Sequence, residues 1–143
     1  MIEKPKKTDI AYIAGIIDGE GSIYTKPQLP RKESLISYDI VLEIRMADKE
    51  ALELIQAVLG GKINCRKPLK KNWKPTFQWK VSGRTAQEIL KLIKPYLLVK
   101  RSRAELALKI LGLHPRYKRY SPMERFLQKA DVLAMKQLNK RGA

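Results

Sequence analysis

Eleven residues, "LISYDIVLEIR" at positions 35–45, put Ile36, Tyr38, Ile40, Leu42 and Ile44 on one side and polar side chains on most of the other. A period of two is the strand period, so this stretch must lie in a sheet with one face buried and one face wet. The preceding "SIYTKPQL" at 22–29 alternates in the same way, and "PRKES" between them supplies turn residues, which makes a β-hairpin. A second pair follows in "KINCRK" and "TFQWKV", joined by the basic loop "PLKKNWKP". Phe77, Trp79 and Val81 share one face of the last strand, opposite Thr76, Gln78 and Lys80. Trp79 is therefore expected in the core, and Cys65 is read as a small strand hydrophobe.

Helical segments sit between and behind these strands. The opening "MIEKPKK" is a charged arm, and a helix capped by Thr8 or Asp9 is expected to run to about Asp18, ended by Gly19 and Gly21. "DKEALELIQAVLGG" spaces Leu52, Ile55 and Leu59 at helical period and closes on a glycine pair suited to a C-cap. "TAQE" at 85–88 has the form of a capping box before "ILKLIKPYL", which Pro95 should end. "SRAELALKILGL" predicts another helix. "SPME" at 121–124 opens a last one, carrying Phe126, Leu127, Ala130, Leu133, Ala134 and Leu138, with proline at its first position. The order αββαββα with further helices predicts an α+β domain, its helices on one side of a four-stranded antiparallel sheet. At 143 residues one domain is expected: an arm over 1–8, the core over 9–95 and C-terminal helices over 96–143.

Charge narrows the partners. Thirty Lys and Arg against 14 Asp and Glu leave +16, a self-repulsion that a polyanion would relieve, so nucleic acid is the first expectation and a membrane surface the second. No apolar run approaches the roughly 20 residues that span a bilayer, and no signal pattern opens the chain. An intracellular protein is expected, in an organelle or a prokaryotic cytoplasm or nucleoid, and not a secreted one. A single cysteine permits no internal disulfide, and without Cys or His clusters any metal must be held by oxygen.

The wet face of the sheet would collect Tyr24, Lys26, Gln28, Ser37, Asp39, Glu43, Arg45, Asn64, Arg66, Thr76, Gln78 and Lys80, with Arg31, Lys32, Lys70 and Lys71 from the loops. Trp73 is placed at the DNA backbone. One wet face is ordinary for an antiparallel sheet and requires no ligand. Arg, Lys, Gln and Asn, however, are the side chains that bond guanine and adenine edges, and a β-ribbon fits the major groove. A strand of about eight residues spans roughly 26 Å, on the order of eight base pairs.

One segment remains, "AYIAGIIDGEGSI" at 11–23, where two acids close a small-residue helix. Ala14 and Gly15, with Asp18 and Gly19 a turn on, leave one helix face nearly bare, which either accommodates packing within the chain or lets a second copy approach. In a twofold arrangement Ala11, Tyr12, Ala14, Gly15, Asp18 and Gly19 would form the contact and bring two Glu20 carboxylates together.

"IAGIIDGEG", Ile13 to Gly21, resembles the motif of the LAGLIDADG homing endonucleases in its helix, its small residues and its penultimate acid. The element order resembles that family's αββαββα core, with a curved sheet as DNA-binding face, and "PYLLVKRSRAELALKI" is similar to the stretch its single-motif members carry after the fourth strand. A single motif implies a homodimer. The resemblance implies that Glu20, with Gly19 beside it, holds catalytic Mg²⁺ (or Mn²⁺). It gives Asp18 a structural role at the helix end and makes Lys100 the basic active-site residue, where the alternative is a plain surface lysine. Where many members carry an active-site glutamine this chain has Met46, a departure that leaves Arg45 or Asp48 to substitute or the water network weakened.

The activity implied is intron-encoded, sequence-specific cleavage of a long, nearly palindromic double-stranded site, leaving short 3′ overhangs. Metal beside the scissile phosphates would lower the pKa of water and stabilise the leaving oxygen. His114, next to Pro115, is read as a surface residue. Two other readings stand: an intron RNA maturase or non-cleaving DNA-binding protein on the same fold, and a basic protein that coats nucleic acid without sequence preference.

Overall fold

The alternating segments pair into one antiparallel sheet in the computed structural model, which describes residues 5–28, 37–112 and 122–140. Strands β1 (Gly21–Gln28), β2 (Ser37–Met46), β3 (Lys62–Arg66) and β4 (Thr76–Ser82) lie in the order β1-β2-β4-β3. The register sets Gly21 opposite Ile44, Ile44 opposite Trp79 and Trp79 opposite Ile63. That register stacks the apolar faces of all four strands, as the alternation requires.

Helices α1 (Lys7–Glu20), α2 (Lys49–Leu59), α3 (Gly83–Ile93) and α4 (Arg101–Gly112) cover the apolar face, and α5 (Pro122–Leu138) packs on α4 and β1. Ile13, Ile17, Ile23, Leu42, Ile44, Leu52, Ile55, Trp79, Leu90 and Ile93 are fully buried between the layers. Trp79 also donates Nε1–H to the carbonyl of Gly60 at 2.7 Å, so its polar edge is satisfied inside the core. Gly61 has φ +92°, and a Cβ there would stand 2.5 Å from Trp79 Nε1; only glycine can close α2 over the indole.

Helix boundaries depart from the sequence reading in three places. Helix α1 starts at Lys7 after an N-cap at Lys6 without a side-chain bond, so neither Thr8 nor Asp9 caps it. It runs through Gly19 to Glu20 and converts directly into β1 at Gly21, where an added Cβ would lie 2.8 Å from the Ile17 carbonyl. The helix thus carries its last acid to the edge of the sheet. Helix α3 begins at Gly83 after Ser82, leaving "TAQE" inside its first turns, because the strand-to-helix turn is made by Gly83 at φ +62°. Pro95 sits as expected just past α3, in a 3-10 turn over Lys94–Tyr96.

Helix α5 starts at Pro122 as expected but buries a different face. Gln128, Asp131, Val132 and Met135 turn inward, while Phe126 is 70% exposed and Leu127, Ala130, Leu133 and Ala134 are also outside. Polar anchors set that rotation: Lys109 Nζ lies 3.2 Å from Asp131 Oδ1, Arg103 donates to the Leu138 carbonyl at 2.9 Å, and Asn139 donates to the Ile23 carbonyl at 2.8 Å. Cys65, at the edge strand, is exposed rather than packed. His114, Arg31 and Lys32 lie outside the described residues.

Candidate active site and nucleic-acid interface

The end of α1 is built around Asp18. Its carboxylate accepts the backbone amides of Leu98 at 2.8 Å and Lys100 at 3.0 Å, fastening the start of α4 to the end of α1 across 80 residues of chain. Burial alone would raise its pKa, but the amides of Leu98, Lys100 and Val99 and the Lys100 charge outweigh it and hold the carboxyl below the usual range. Lys100 then folds its Nζ back onto the Asp18 carbonyl at 2.6 Å. Burial, with the Arg103 charge adding to it, lowers the Lys100 pKa against the opposing pull of Asp18 and Glu20. The structural role expected of Asp18 is therefore met, and Lys100 is no free surface lysine.

Because the depressed pKa belongs to the folded state, Asp18 contributes stability that is full above its ordinary unfolded value and is lost as pH falls through the lower folded one. An Asp18→Asn variant is expected to be less stable than the parent at pH 7, by about 1–2 kcal/mol. The gap should close as pH drops below about 3–4 in denaturant melts run from pH 7 to pH 2.5.

Glu20, one helical step past Asp18 and Gly19, is exposed and makes no hydrogen bond or ion pair with any described residue. Of the carbonyls at this helix end, Ile17's accepts from Gly21 and Asp18's from Lys100, and Gly19's is the next along. Among the described residues no three Asp, Glu, His or Cys side chains gather into a metal cluster, and Asp18 is spent on amides. Among the described residues, this helix end thus offers one carboxylate, Glu20, that holds no hydrogen bond, beside helix-end carbonyls and the Lys100 charge. Mg²⁺, which takes oxygen ligands and keeps several waters, suits that donor set if a phosphate or a second carboxylate joins it.

Ala11, Tyr12, Gly15 and Gly19 lie together on the solvent side of α1, and a Cβ at Gly15 or Gly19 would meet nothing within 4 Å. Ala14 does not belong with them. It is fully buried on the stripe of Ile10, Ile13 and Ile17, four residues after Ile10 and three before Ile17, so it faces the chain's own core. Leu98 and Val99, in the turn that Asp18 pins, are exposed at the same helix end.

The other side of the sheet carries the polar residues in rows. Ser22, Glu43, Lys80 and Lys62 cross it in one row, and Arg45, Gln78 and Asn64 in the next. Lys62 faces Lys80 directly, a like-charge pair that costs stability unless an anion lies between them. Strand alternation two residues before Asn64 would have found Lys62. Not all of the expected contacts are equally available. Lys26, Arg45, Asn64, Arg66, Lys70, Lys71 and Trp73 are exposed, and Tyr24, Thr76 and Lys80 are half-buried. Lys70 Nζ lies 5.1 Å over the Trp73 ring. Glu43, its side chain 15% exposed, is paired with Arg45 at 3.5 Å; burial first, and then the Glu43 charge and hydrogen bond, raise the Tyr24 pKa. Asp39 accepts the Ile40 amide at 2.8 Å. Gln78 points to this face but is only 2% exposed, covered within the protein's own polar network. Gln28 and Ser37 pair by backbone at the hairpin end. From Leu54 to Gln87 the chain has no acidic residue and eight Lys and Arg, so the β3–β4 half of the face is uniformly cationic.

Solved structures share this fold. The homing endonuclease I-CvuI in complex with its target superposes with TM-score 0.76 at 24% identity, covering 96% of this chain and 85% of that one. The archaeal intron-encoded homing endonuclease I-Vdi141I complexed with DNA gives TM-score 0.76 at 20% identity, covering 95% and 87%. The I-LtrWI LAGLIDADG homing endonuclease bound to target DNA gives 0.66 at 21% identity, over 96% of this chain and 47% of that one. The chain has the LAGLIDADG homing endonuclease fold. No family model and no curated protein matches it by sequence.

Within this LAGLIDADG fold the departure at Met46 acquires a location. Met46 pairs with Phe77 on the apolar side and packs against the core. Asp48 caps α2 through one carboxylate oxygen, Oδ1, which accepts the Glu50 and Ala51 amides, and its side chain is exposed. Arg45, with 52% of its side chain exposed, is the neighbour that faces the polar side.

Proposed function

We propose that the chain is a sequence-specific double-strand DNA endonuclease that acts as a homodimer on a long, nearly palindromic site. The exposed Glu20 carboxylate, which makes no hydrogen bond or ion pair with a described residue and lies near Lys100 at the foot of a bare helix and at one end of a cationic sheet face, carries this reading. In it, α1 crosses its copy along Ala11, Gly15 and Gly19, and the two Glu20 side chains meet above the duplex. Each sheet lies in a major groove and reads one half-site. The likeness to endonucleases solved with DNA supports the substrate class, and coverage of most of the I-CvuI and I-Vdi141I chains supports one such unit per chain. No described helix is long and apolar enough to cross a membrane.

Glu20 from each copy, with the Gly19 carbonyl, would hold Mg²⁺ or Mn²⁺, which supplies Lewis-acid stabilisation of charge at the scissile phosphate. Lys100 places a cation at the same helix end, held by the Asp18 carbonyl, and steadies negative charge as the phosphodiester opens. The products carry short 3′ overhangs. Lys100→Met is expected to slow single-turnover cleavage by about 10²-fold, the loss typical of one positioned electrostatic donor, with little change in DNA affinity measured by gel shift.

The deciding experiment incubates the protein with a randomised duplex library and Mg²⁺ and sequences both cut and retained DNA. One roughly palindromic motif among the cut ends is the expected result. Retention of a motif without cutting would leave a non-cleaving binding protein on the same fold, with RNA as a further candidate ligand. Met46, half-buried against the core, is the observation that favours this second reading.

A further inference from the structure

Arg66 and Gln78 form a built pair on the polar face of the sheet. Arg66 donates Nε–H to Gln78 Oε1 at 2.8 Å, reaching diagonally from β3 to a residue that the register sets opposite Asn64. Gln78 is 2% exposed whereas Arg66 is exposed, so the amide is the support and the guanidinium is the presented group. Glutamine accepting at Nε leaves the two terminal nitrogens of Arg66 as a free, planar, forward-facing fork. That fork matches the O6 and N7 acceptors of guanine, and fixing it in advance removes rotamer entropy that a free arginine would lose on binding.

We infer that Arg66 reads one guanine in each half-site and that Gln78 positions it for that base without touching DNA. This rests on the reading that the polar face enters the major groove. The register locates the contact: Arg66 lies opposite Thr76, at the end of the sheet where β1 leaves Glu20, so the guanine falls on the side of the half-site nearer the cleaved bonds. Asn64 and Arg45 flank Gln78 but lack such a tether to it; Arg45 is drawn instead toward the Glu43 carboxylate.

The test is a binding selection from randomised duplexes, without divalent metal, using the full chain and its Arg66→Lys, Arg66→Ala and Gln78→Leu variants. The parent is expected to prefer guanine over the other bases by about 10- to 100-fold at one inner position of each half-site. Arg66→Lys keeps the charge and loses the fork, so that preference should fall at least tenfold while the other positions keep theirs. Gln78→Leu should weaken the same position alone. Arg66 is a surface residue, so its variants keep the test valid even if Gln78→Leu folds poorly. A uniform loss of affinity in Arg66→Ala, with a smaller salt slope and every base preference intact, would identify a phosphate contact and overturn the inference. Absence of any base preference in the parent would overturn it together with the reading on which it rests.

Discussion

Replacing Glu20 by glutamine is expected to reduce cleavage of the selected site by about 10³-fold or more while duplex binding persists. The exchange keeps size and exposure and removes only the charge, and Glu20 makes no hydrogen bond or ion pair with a described residue, so the fold loses only the attraction of Glu20 for Lys100. A carboxylate that holds a catalytic cation supports several kcal/mol of transition-state charge, which converts to at least three powers of ten in rate. In the proposed dimer the change falls twice, once at each strand. Single-turnover cleavage and gel shifts on the same DNA, in Mg²⁺ and in Ca²⁺, separate chemistry from binding. Normal cutting by the variant would remove Glu20 from the site.

A bulky residue at Gly15 is expected to abolish the proposed dimer without unfolding the chain. A Cβ at Gly15 meets nothing within 4 Å, so Gly15→Phe projects into solvent in the isolated protomer at a cost limited to helix propensity. Across a twofold contact between α1 helices the same ring enters the seam, and isologous symmetry brings two of them into one place. Overpacking costs typically 1–3 kcal/mol per site, so the doubled effect raises the dimer dissociation constant by roughly 10²- to 10⁴-fold. Sedimentation velocity should show monomers with unchanged circular dichroism, and double-strand cutting should fall with them. Dimers of Gly15→Phe would show that the bare face of α1 serves another purpose.

The asymmetry between these two residues and Ala14 marks where the sequence ceases to be readable. A run of small residues announces that something approaches closely, but Ala14 and Gly15 are neighbours in sequence and only one of them belongs to the face that is free. Only the rotation of the helix against β1, β2 and α3 shows that Ala14 meets its own core and that Gly15 meets solvent. Helix α5 fails in the same way on a larger scale. Its apolar stripe is the conspicuous signal, yet the helix buries Val132 and Met135 on the opposite face, where Asp131 pairs with Lys109 and Arg103 bonds the last turn. Local patterning has no access to partners 22 and 35 residues away.

By itself the sequence determined the strands, their buried faces, the order αββαββα, the core role of Trp79, the cationic polar face and the acid at the end of the motif helix. These follow from periodicity and residue type, which act over a few neighbouring positions. Tertiary structure alone decided what the polar groups on that framework are engaged in: Asp18 fastened to the start of α4, Lys100 turned onto the motif helix and Gln78 beneath Arg66. A side chain's availability depends on which partners the fold brings within about 3 Å. Those contacts join residues up to 82 positions apart, so no local pattern encodes them.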